Sequence, residues 1–151
     1  MNYITMDSPI GILTLTSEGD KLIGLRFGKI AEGDNSSTEV LERAKAQLEA
    51  YFSKKLTVFD LPIDPRGTEF RKRVWNALLE IPYGQKRTYG EIAAAIGSPK
   101  GVRAVGNANH HNPISIIIPC HRVVGYNGAL TGYAGGLDIK KFLLELEQRD
   151  S

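Results

Sequence analysis

The sequence of 151 residues has a single cysteine, Cys120, and lacks any long apolar run. One cysteine excludes an intramolecular disulfide and is typical of proteins from a reducing compartment. No apolar run approaches the roughly 20 residues that cross a bilayer, and no basic segment followed by an apolar one marks a secretory signal. We therefore expect a cytoplasmic protein that has no membrane partner.

Excess charge of one sign is also lacking, because the net charge at pH 7 is only +2. Acidic residues outnumber basic ones over positions 1–64, and basic residues outnumber acidic ones over 65–151. A basic lobe that faces DNA beside an acidic supporting lobe has this pattern, and so does a surface arranged for solubility. Charge alone does not decide between the two interpretations.

The N-terminal part predicts a small sheet followed by a helix. Three short runs have the composition of strands and are separated by turn residues, which predicts an antiparallel meander. The predicted strands are Asn2–Met6, Gly11–Thr16 and Lys21–Phe27. Ser36 followed by Glu39 is a capping-box pattern that predicts a helix ending near Phe52. An extended segment is predicted over Leu56–Ile63.

A lobe boundary is predicted near Asp64-Pro65, with an α/β supporting lobe over 1–64 and a second, mainly helical domain over 65–151. The second domain has four helix patterns, each preceded by a capping residue. The predicted helices are Glu69–Leu79, Tyr89–Ile96, Lys100–Asn109 and Ile139–Arg149, and their caps are Thr68, Thr88, Ser98 and Asp138. The fold class is therefore α/β, of the α+β type.

The middle two of these helices resemble a helix-turn-helix, because a short Gly-Ser-Pro turn joins them. The second helix carries a polar face that can meet phosphates or bases. The residues on that face are Lys100, Arg103, Asn107, Asn109 and His110. Such helix pairs also occur as plain packing units, so the pattern leaves both interpretations open.

Cys120 follows three isoleucines, Ile116–Ile118, which predict a buried strand because β-branched side chains suit a sheet packed on both faces. Pro119 cannot donate a sheet hydrogen bond and is expected to end that strand. Cys120 would then stand where a rigid apolar segment opens into a cleft, as a nucleophile does. A free cysteine is also often a small buried hydrophobic residue, and the segment alone does not exclude that.

A cysteine nucleophile needs a base, and His121 is the nearest candidate. Neighbouring residues on a strand point to opposite faces, so a bridging water is more plausible than a direct hydrogen bond. Glu147 is the candidate that orients the histidine, although the spacing does not exclude Glu145. A metal site built from the histidines and Cys120 does not match any usual zinc spacing, so we expect no metal.

The segment Asn112–Val124 resembles the active-site segment of the O6-alkylguanine-DNA alkyltransferases, also called methylated-DNA–protein-cysteine methyltransferases. The resemblance continues in order over about 68–147 and more loosely to the turn at Ser8–Gly11. Its other matching segments are Pro82–Gly84, Thr88–Tyr89, Arg103–Gly106 and Tyr133–Leu137. The resemblance implies a ribonuclease H-like N-terminal lobe and a winged helix-turn-helix-like domain.

The resemblance also implies a set of catalytic roles. Cys120 would take the alkyl group from O6 of guanine in one displacement, and the protein would be consumed because the thioether is stable. His121 would act through a water as the base, and Glu147 would orient it. Asn112 would brace the turn between the recognition helix and the active-site segment.

Further residues would hold the DNA and the flipped base, which must leave the stack before its O6 is accessible. Tyr89, Tyr133, Ala134 and the carbonyls of Cys120 and Val123 would contact the base. Many relatives have serine where this chain has Ala134, so one hydroxyl is missing there. The DNA contacts would come from Arg103, which fills the space left by the base, and from Lys100, Asn107, Asn109 and Thr88.

The expected partner is double-stranded DNA that contains O6-alkylguanine, with activity on O4-alkylthymine left open. We expect a monomer that uses no cofactor. The sequence leaves two other functions open. One is a lesion-binding protein without chemistry, although non-catalytic relatives have tryptophan at the position of Cys120. The other is a cysteine hydrolase, which would turn over repeatedly.

Overall fold

A computed structural model describes residues 1–148, and the chain divides into two compact units. The first unit is Met1–Arg66 and the second begins at Gly67. The predicted mixed α/β class is confirmed, with a three-stranded antiparallel sheet in the first unit and most of the helices in the second. Over 1–148, none of the helices has the length and apolar character needed to cross a bilayer.

The sheet of the first unit has the predicted order, with β1 (Asn2–Met6), β2 (Leu13–Glu18) and β3 (Lys21–Phe27) as consecutive antiparallel neighbours. β2 begins two residues later than predicted and continues to Glu18, so the hairpin turn is only Gly19-Asp20. Gly19 has a φ of +63°, which glycine adopts without steric cost. The meander is therefore confirmed, with a tighter second turn.

Helix α1 (Glu39–Phe52) covers this sheet, but its cap is Thr38 rather than the predicted Ser36. The Thr38 side chain accepts a hydrogen bond from the Leu41 amide, whereas the Ser36 hydroxyl accepts one from the Asn2 side chain. The predicted apolar stripe is buried, and it consists of Val40, Leu41, Ala44, Leu48 and Tyr51. Residues 56–63, which were predicted to be extended, form no strand. Ile63 makes one isolated β-bridge to Leu22.

The second unit begins with α2 (Glu69–Leu79), which Thr68 caps as predicted by accepting from the Arg71 amide at 3.2 Å. Trp75 is 1% exposed, and its indole N–H donates to the carbonyl of Ala108 at 2.9 Å. The sequence pattern did not assign Trp75 to the core. Its indole fills the space against Gly67, where any added Cβ would meet the ring.

Helices α3 (Tyr89–Ala95) and α4 (Val102–His110) form the helix pair. The predicted capping box that opens α3 is confirmed, since Thr88 and Glu91 each accept from the other's backbone amide. The start predicted for α4 is wrong, because the segment from Ser98 to Gly101 forms a turn and Gly101 is the cap.

Two further elements complete the second unit. The short strands β4 (Arg87–Thr88) and β5 (Val123–Val124) pair in parallel. The last helix, α5, runs over Leu137–Gln148, so Asp138 lies in its first turn instead of capping it. The predicted end of α5 at Arg149 lies outside the described residues.

The predicted strand over Ile116–Ile118 is wrong, although all three isoleucines are buried. The chain turns tightly here, with Ile116 at a φ of +73° and the Ile118 amide donating to the Ile114 carbonyl at 3.0 Å. A 3₁₀ turn over Cys120–Arg122 follows. A buried loop that satisfies its own backbone groups has the same apolar composition as a buried strand, so composition does not separate them.

Candidate active site

Cys120 lies at the start of the 3₁₀ turn and is 3% exposed. Burial raises the pKa of its thiol, and the Asn112 side chain, the Lys140 charge and Tyr133 act in the opposite direction. The resting cysteine is therefore a protonated thiol, and a reaction at sulfur needs a group that removes its proton.

Asn112 fixes the loop that leads to this thiol. Its amide N–H donates to the carbonyl of Ile118 at 2.8 Å, and its amide oxygen accepts from the backbone N–H of Ile114 at 3.0 Å. Both partners belong to the tight turn that replaces the predicted strand. The side chain thus closes the turn from the α4 end and sets the position of Cys120.

His121 is fully buried and hydrogen-bonded to Glu147 at 2.6 Å between Nε2 and Oε2. Because a carboxylate only accepts, Nε2 carries the proton, and Nδ1 of the neutral ring keeps its lone pair. Nδ1 has no hydrogen-bond partner within the described chain. Burial lowers the pKa of His121, and Glu147 opposes that effect, so the resting ring is neutral and able to accept a proton.

Glu147 is held by more than the histidine. Arg122 donates to both carboxylate oxygens, through Nε at 2.8 Å and Nη2 at 3.1 Å, and the Gly84 amide donates at 3.4 Å. Burial alone would raise the pKa of Glu147, but the hydrogen bonds and charges of His121 and Arg122 hold it at about 2. Glu145, the alternative that the spacing left open, is exposed and lies 3.9 Å from Lys141.

Arg122 and Lys140 were not predicted as site residues from the sequence. Arg122 also donates to the Ile81 carbonyl at 2.7 Å, and it places its guanidinium over the Tyr83 ring. The signal for Lys140 was its spacing, because it lies three, four and seven residues before Leu143, Leu144 and Glu147 on the buried face of α5.

Lys140 is completely buried, and its ammonium group donates to the carbonyls of Val123 at 2.6 Å and Thr131 at 3.1 Å. Burial lowers its pKa to about 8, and the nearby Cys120 opposes that change. Lys140 thus ties the segment before Tyr133 to β5.

The residues predicted to hold the base fall into two groups. Tyr133 is 7% exposed and lies close enough to Cys120 to lower the pKa of the Cys120 thiol. The hydroxyl of Tyr89 shares a 2.6 Å hydrogen bond with the hydroxyl of Thr131. Ala134 is exposed, and the Val123 carbonyl already accepts from Lys140. The structure therefore brings Tyr133 to the thiol and leaves Ala134 at the surface.

The residues predicted to contact DNA do not share one environment. Arg103 and Lys100 are exposed, and so is Asn107, whose amide oxygen accepts from Arg71 at 3.3 Å. Thr88 is half-buried and caps α3. Asn109 is buried instead, at 3% exposure, and its amide N–H points to the Cys120 carbonyl at 3.4 Å.

His110 and His111 stand at the end of α4 and are exposed, with their rings edge to face at 5.4 Å. His111 Nδ1 lies 2.8 Å from the Asn107 carbonyl. In the described part of the chain, no three histidine, cysteine or acidic side chains converge to hold a metal ion.

The chain matches two family models, each described as a domain of 6-O-methylguanine DNA methyltransferase. The ribonuclease-like domain matches residues 1–65, and the DNA binding domain matches residues 69–149. A methylated-DNA–protein-cysteine methyltransferase of Methanosarcina acetivorans is 55% identical over 97% of this chain and 98% of its own length. Another from Mycolicibacterium paratuberculosis is 51% identical over 100% of this chain and 94% of its own.

Solved structures agree with these matches. The OGT of Mycobacterium tuberculosis, crystallised in complex with DNA, superposes with a TM-score of 0.92 at 53% identity, over 98% of this chain and 93% of that one. An O6-methylguanine DNA methyltransferase of Methanococcus jannaschii gives a TM-score of 0.70 at 32% identity, over 97% and 94% of the two chains. Both family models and full-length relatives match, and the chain therefore belongs to the 6-O-methylguanine DNA methyltransferase family.

Proposed function

We propose that this protein repairs DNA by direct reversal, taking the alkyl group of O6-alkylguanine onto Cys120 in a single turnover. The observation that carries the proposal is the buried thiol beside a histidine whose Nε2 is fixed by Glu147 at 2.6 Å. This arrangement supplies a nucleophile, a base with a free lone pair and a group that orients the base. Family membership supports the same chemistry.

The displacement is a single step. Sulfur of Cys120 attacks the alkyl carbon, the C–S bond forms as the C–O6 bond breaks, and the electron pair of the broken bond stays on guanine. The thiol proton passes through a water to Nδ1 of His121, which Glu147 stabilises as it becomes cationic. A hydroxyl donor near O6, for which Tyr133 is the candidate, stabilises the negative charge that develops there.

Asn112 and Glu147 are positioning residues in this scheme, because neither has to touch the alkyl group. Asn112 holds the turn that presents the sulfur, and Glu147 keeps His121 in the tautomer that accepts at Nδ1. The thioether product has no leaving group that water displaces easily. The protein is therefore consumed once for each lesion that it repairs.

The DNA face of the protein is the α3–α4 pair, in the domain over 65–151. A thiol that is 3% exposed cannot meet a base inside a duplex, so the damaged nucleotide must be extruded. The exposed guanidinium of Arg103 on α4 is the side chain that fills the space left in the stack. Lys100 and Asn107 contact the phosphates.

The protein acts as a monomer in the cytoplasm, on double-stranded DNA and without a cofactor. The burial of Cys120 favours a small alkyl group, and O4-alkylthymine is a second substrate to test. A basic surface that binds phosphates releases counterions, so DNA affinity should fall as salt rises.

The test of this function is mass spectrometry after incubation with a duplex that carries O6-methylguanine. We expect one added methyl group, mapped to the peptide of Cys120, and unmodified guanine in the DNA. Cys120→Ala should bind the duplex without acquiring a methyl group. Repeated turnover would instead indicate a hydrolase, and a folded protein without an adduct would indicate a lesion-binding protein.

Arg103 is tested by comparing two substrates. Arg103→Ala should slow repair of the duplex much more than reaction with free O6-benzylguanine, because the free base needs no extrusion. Lys141→Ala, an exposed residue of α5, is the matched control for loss of one positive charge. Equal losses on both substrates would remove Arg103 from the extrusion step.

A further inference from the structure

Arg122 is held beside Glu147 by contacts on two sides. Toward α5 it donates to both carboxylate oxygens of Glu147, through Nε at 2.8 Å and Nη2 at 3.1 Å. Toward the connection after α2, its Nη1 donates to the Ile81 carbonyl at 2.7 Å, and the guanidinium lies over the Tyr83 ring at 5.7 Å. Arg122 is 7% exposed, so its charge acts on the carboxylate with little screening by water.

One oxygen of Glu147 is shared between the arginine and the histidine. Oε2 accepts from His121 Nε2 at 2.6 Å and from Arg122 Nη2 at 3.1 Å. If Oε2 were protonated it would donate to Nε2, and the proton of the neutral ring would then be on Nδ1. An ionised Glu147 therefore fixes which nitrogen of His121 carries the proton, as well as the orientation of the ring.

The charge of Arg122 decides whether this buried cluster takes up a further proton. A neutral His121, an ionised Glu147 and a cationic Arg122 sum to zero, so one more proton would leave a buried positive charge. Without the guanidinium the cluster carries one negative charge, and burial then favours uptake of a proton that neutralises it. A proton at Nδ1 uses up the lone pair, and a proton on Glu147 removes the anion that stabilises the cationic ring.

The other groups around His121 do not include a second anion beside Glu147 among those that shift its pKa. Burial lowers the pKa of His121, Glu147 raises it, and the charges of Arg122 and Lys140 lower it. α2 packs on the same turn with buried apolar side chains. The charged and titratable groups that face the cluster, besides Arg122, are Glu147 and Lys140 of α5, Cys120 of the same turn and Tyr83 of the connection after α2.

We propose that Arg122 is a positioning residue of the alkyl transfer, because its guanidinium keeps Glu147 ionised and so keeps the lone pair of His121 at Nδ1. The inference rests on the proposed function and deepens it, since it adds a side chain to the thiol, the base and the carboxylate. Arg122 acts through Glu147 and needs no contact with the damaged base.

The test is the pH dependence of the methyl-transfer rate, measured in single turnovers with a saturating amount of the O6-methylguanine duplex. Saturation removes DNA affinity from the comparison. The rate of the wild type should fall only at low pH, because burial lowers the pKa of His121. In Arg122→Met this fall should lie about 1 pH unit higher, which is about tenfold in rate below both midpoints.

Two further variants make the result specific to the charge. Arg122→Lys keeps a cation beside Glu147 and should restore the wild-type pH dependence, although it cannot make both hydrogen bonds. Arg26→Met, at an exposed arginine 3.7 Å from Glu32, is the matched control and should change neither the rate nor its pH dependence. A purely structural role for Arg122 would slow Arg122→Met by the same factor at every pH, which would overturn the inference.

NMR titration of the His121 ring nitrogens and the Glu147 carboxyl carbon gives a second readout that needs no DNA. The pH at which this pair takes up a proton should be about 1 unit higher in Arg122→Met than in the wild type. Equal titrations would contradict the inference. If Arg122→Met does not fold, Arg122→Gln, a neutral side chain that can still donate to Glu147, serves in both measurements. Failure of the wild type to acquire a methyl group at all would refute the proposed function instead, since the titration does not depend on repair.

Discussion

The buried pair of Arg122 and Glu147 gives a prediction that a double-mutant cycle can measure. The two side chains share two hydrogen bonds, at 2.8 and 3.1 Å, and are 8% and 1% exposed. Glu147→Gln leaves the guanidinium without its counterion, and Arg122→Met leaves the carboxylate without its own. Breaking a buried pair from one side costs about 3 kcal/mol of the free energy of unfolding in each case.

The double variant Arg122→Met/Glu147→Gln removes both charges, so it should cost about 3 kcal/mol in total instead of about 6 kcal/mol. The coupling free energy is then about 3 kcal/mol, measured by urea unfolding of the four proteins at pH 7. The exposed pair Lys141 and Glu145, at 3.9 Å, is the control, and its coupling should not exceed about 0.5 kcal/mol.

Stability and repair should separate in this cycle. The double variant regains stability but should stay slow in repair, because the neutral amide that replaces the Glu147 carboxylate no longer stabilises the cationic form of His121. Additive effects of the two single changes on unfolding would refute the reasoning, since they would mean that the interior screens this pair as well as water does.

Three further predictions concern stability. Glu147 has a pKa of about 2 in the folded protein and 4.5 in the unfolded chain, so it contributes about 3 kcal/mol to the free energy of unfolding. This contribution is present above pH 4.5 and is lost as the pH falls toward 2. Urea unfolding at a series of pH values should show the loss in the wild type and not in Glu147→Gln. Thr88→Ala removes half of the capping box of α3 and should cost about 1 kcal/mol by the same measurement, whereas Thr57→Ala, at an exposed position, should cost nothing measurable. Gly33→Ala should lower the midpoint of thermal unfolding far more than Gly19→Ala. Both glycines have a positive φ, but only at Gly33 would the added Cβ collide with the Met1 backbone. Equal shifts of the midpoint in the two variants would contradict this prediction.

Local signals in the sequence were enough for most of the elements. The meander, the capping box at Thr88 and the buried stripe of α1 depend on residues close together in the chain, and all are present. Glu147 was the candidate to orient His121, with Glu145 left open by the spacing, and the family resemblance then implied Glu147. The structure brings His121 and Glu147 together across 26 positions.

The departures around the site come from hydrogen bonds and burial that no sequence pattern reports. Ile116–Ile118 forms a turn because Asn112 satisfies its backbone, and no local pattern reports that bond. Asn109 appeared to belong to a polar surface, but it turns inward to the Cys120 carbonyl. Arg122 and Lys140 were overlooked because charged residues are seldom buried unless tertiary partners compensate them.

Trp75 has a consequence for observing the protein at work. It is the only tryptophan of the chain, and its indole N–H is bonded to the Ala108 carbonyl of α4, the helix that carries Arg103. The emission of an indole depends on the polarity and hydrogen bonding around it. The wild-type chain therefore contains its own fluorophore, attached to the recognition helix, and stopped-flow fluorescence can time the docking of that helix on DNA without any added label.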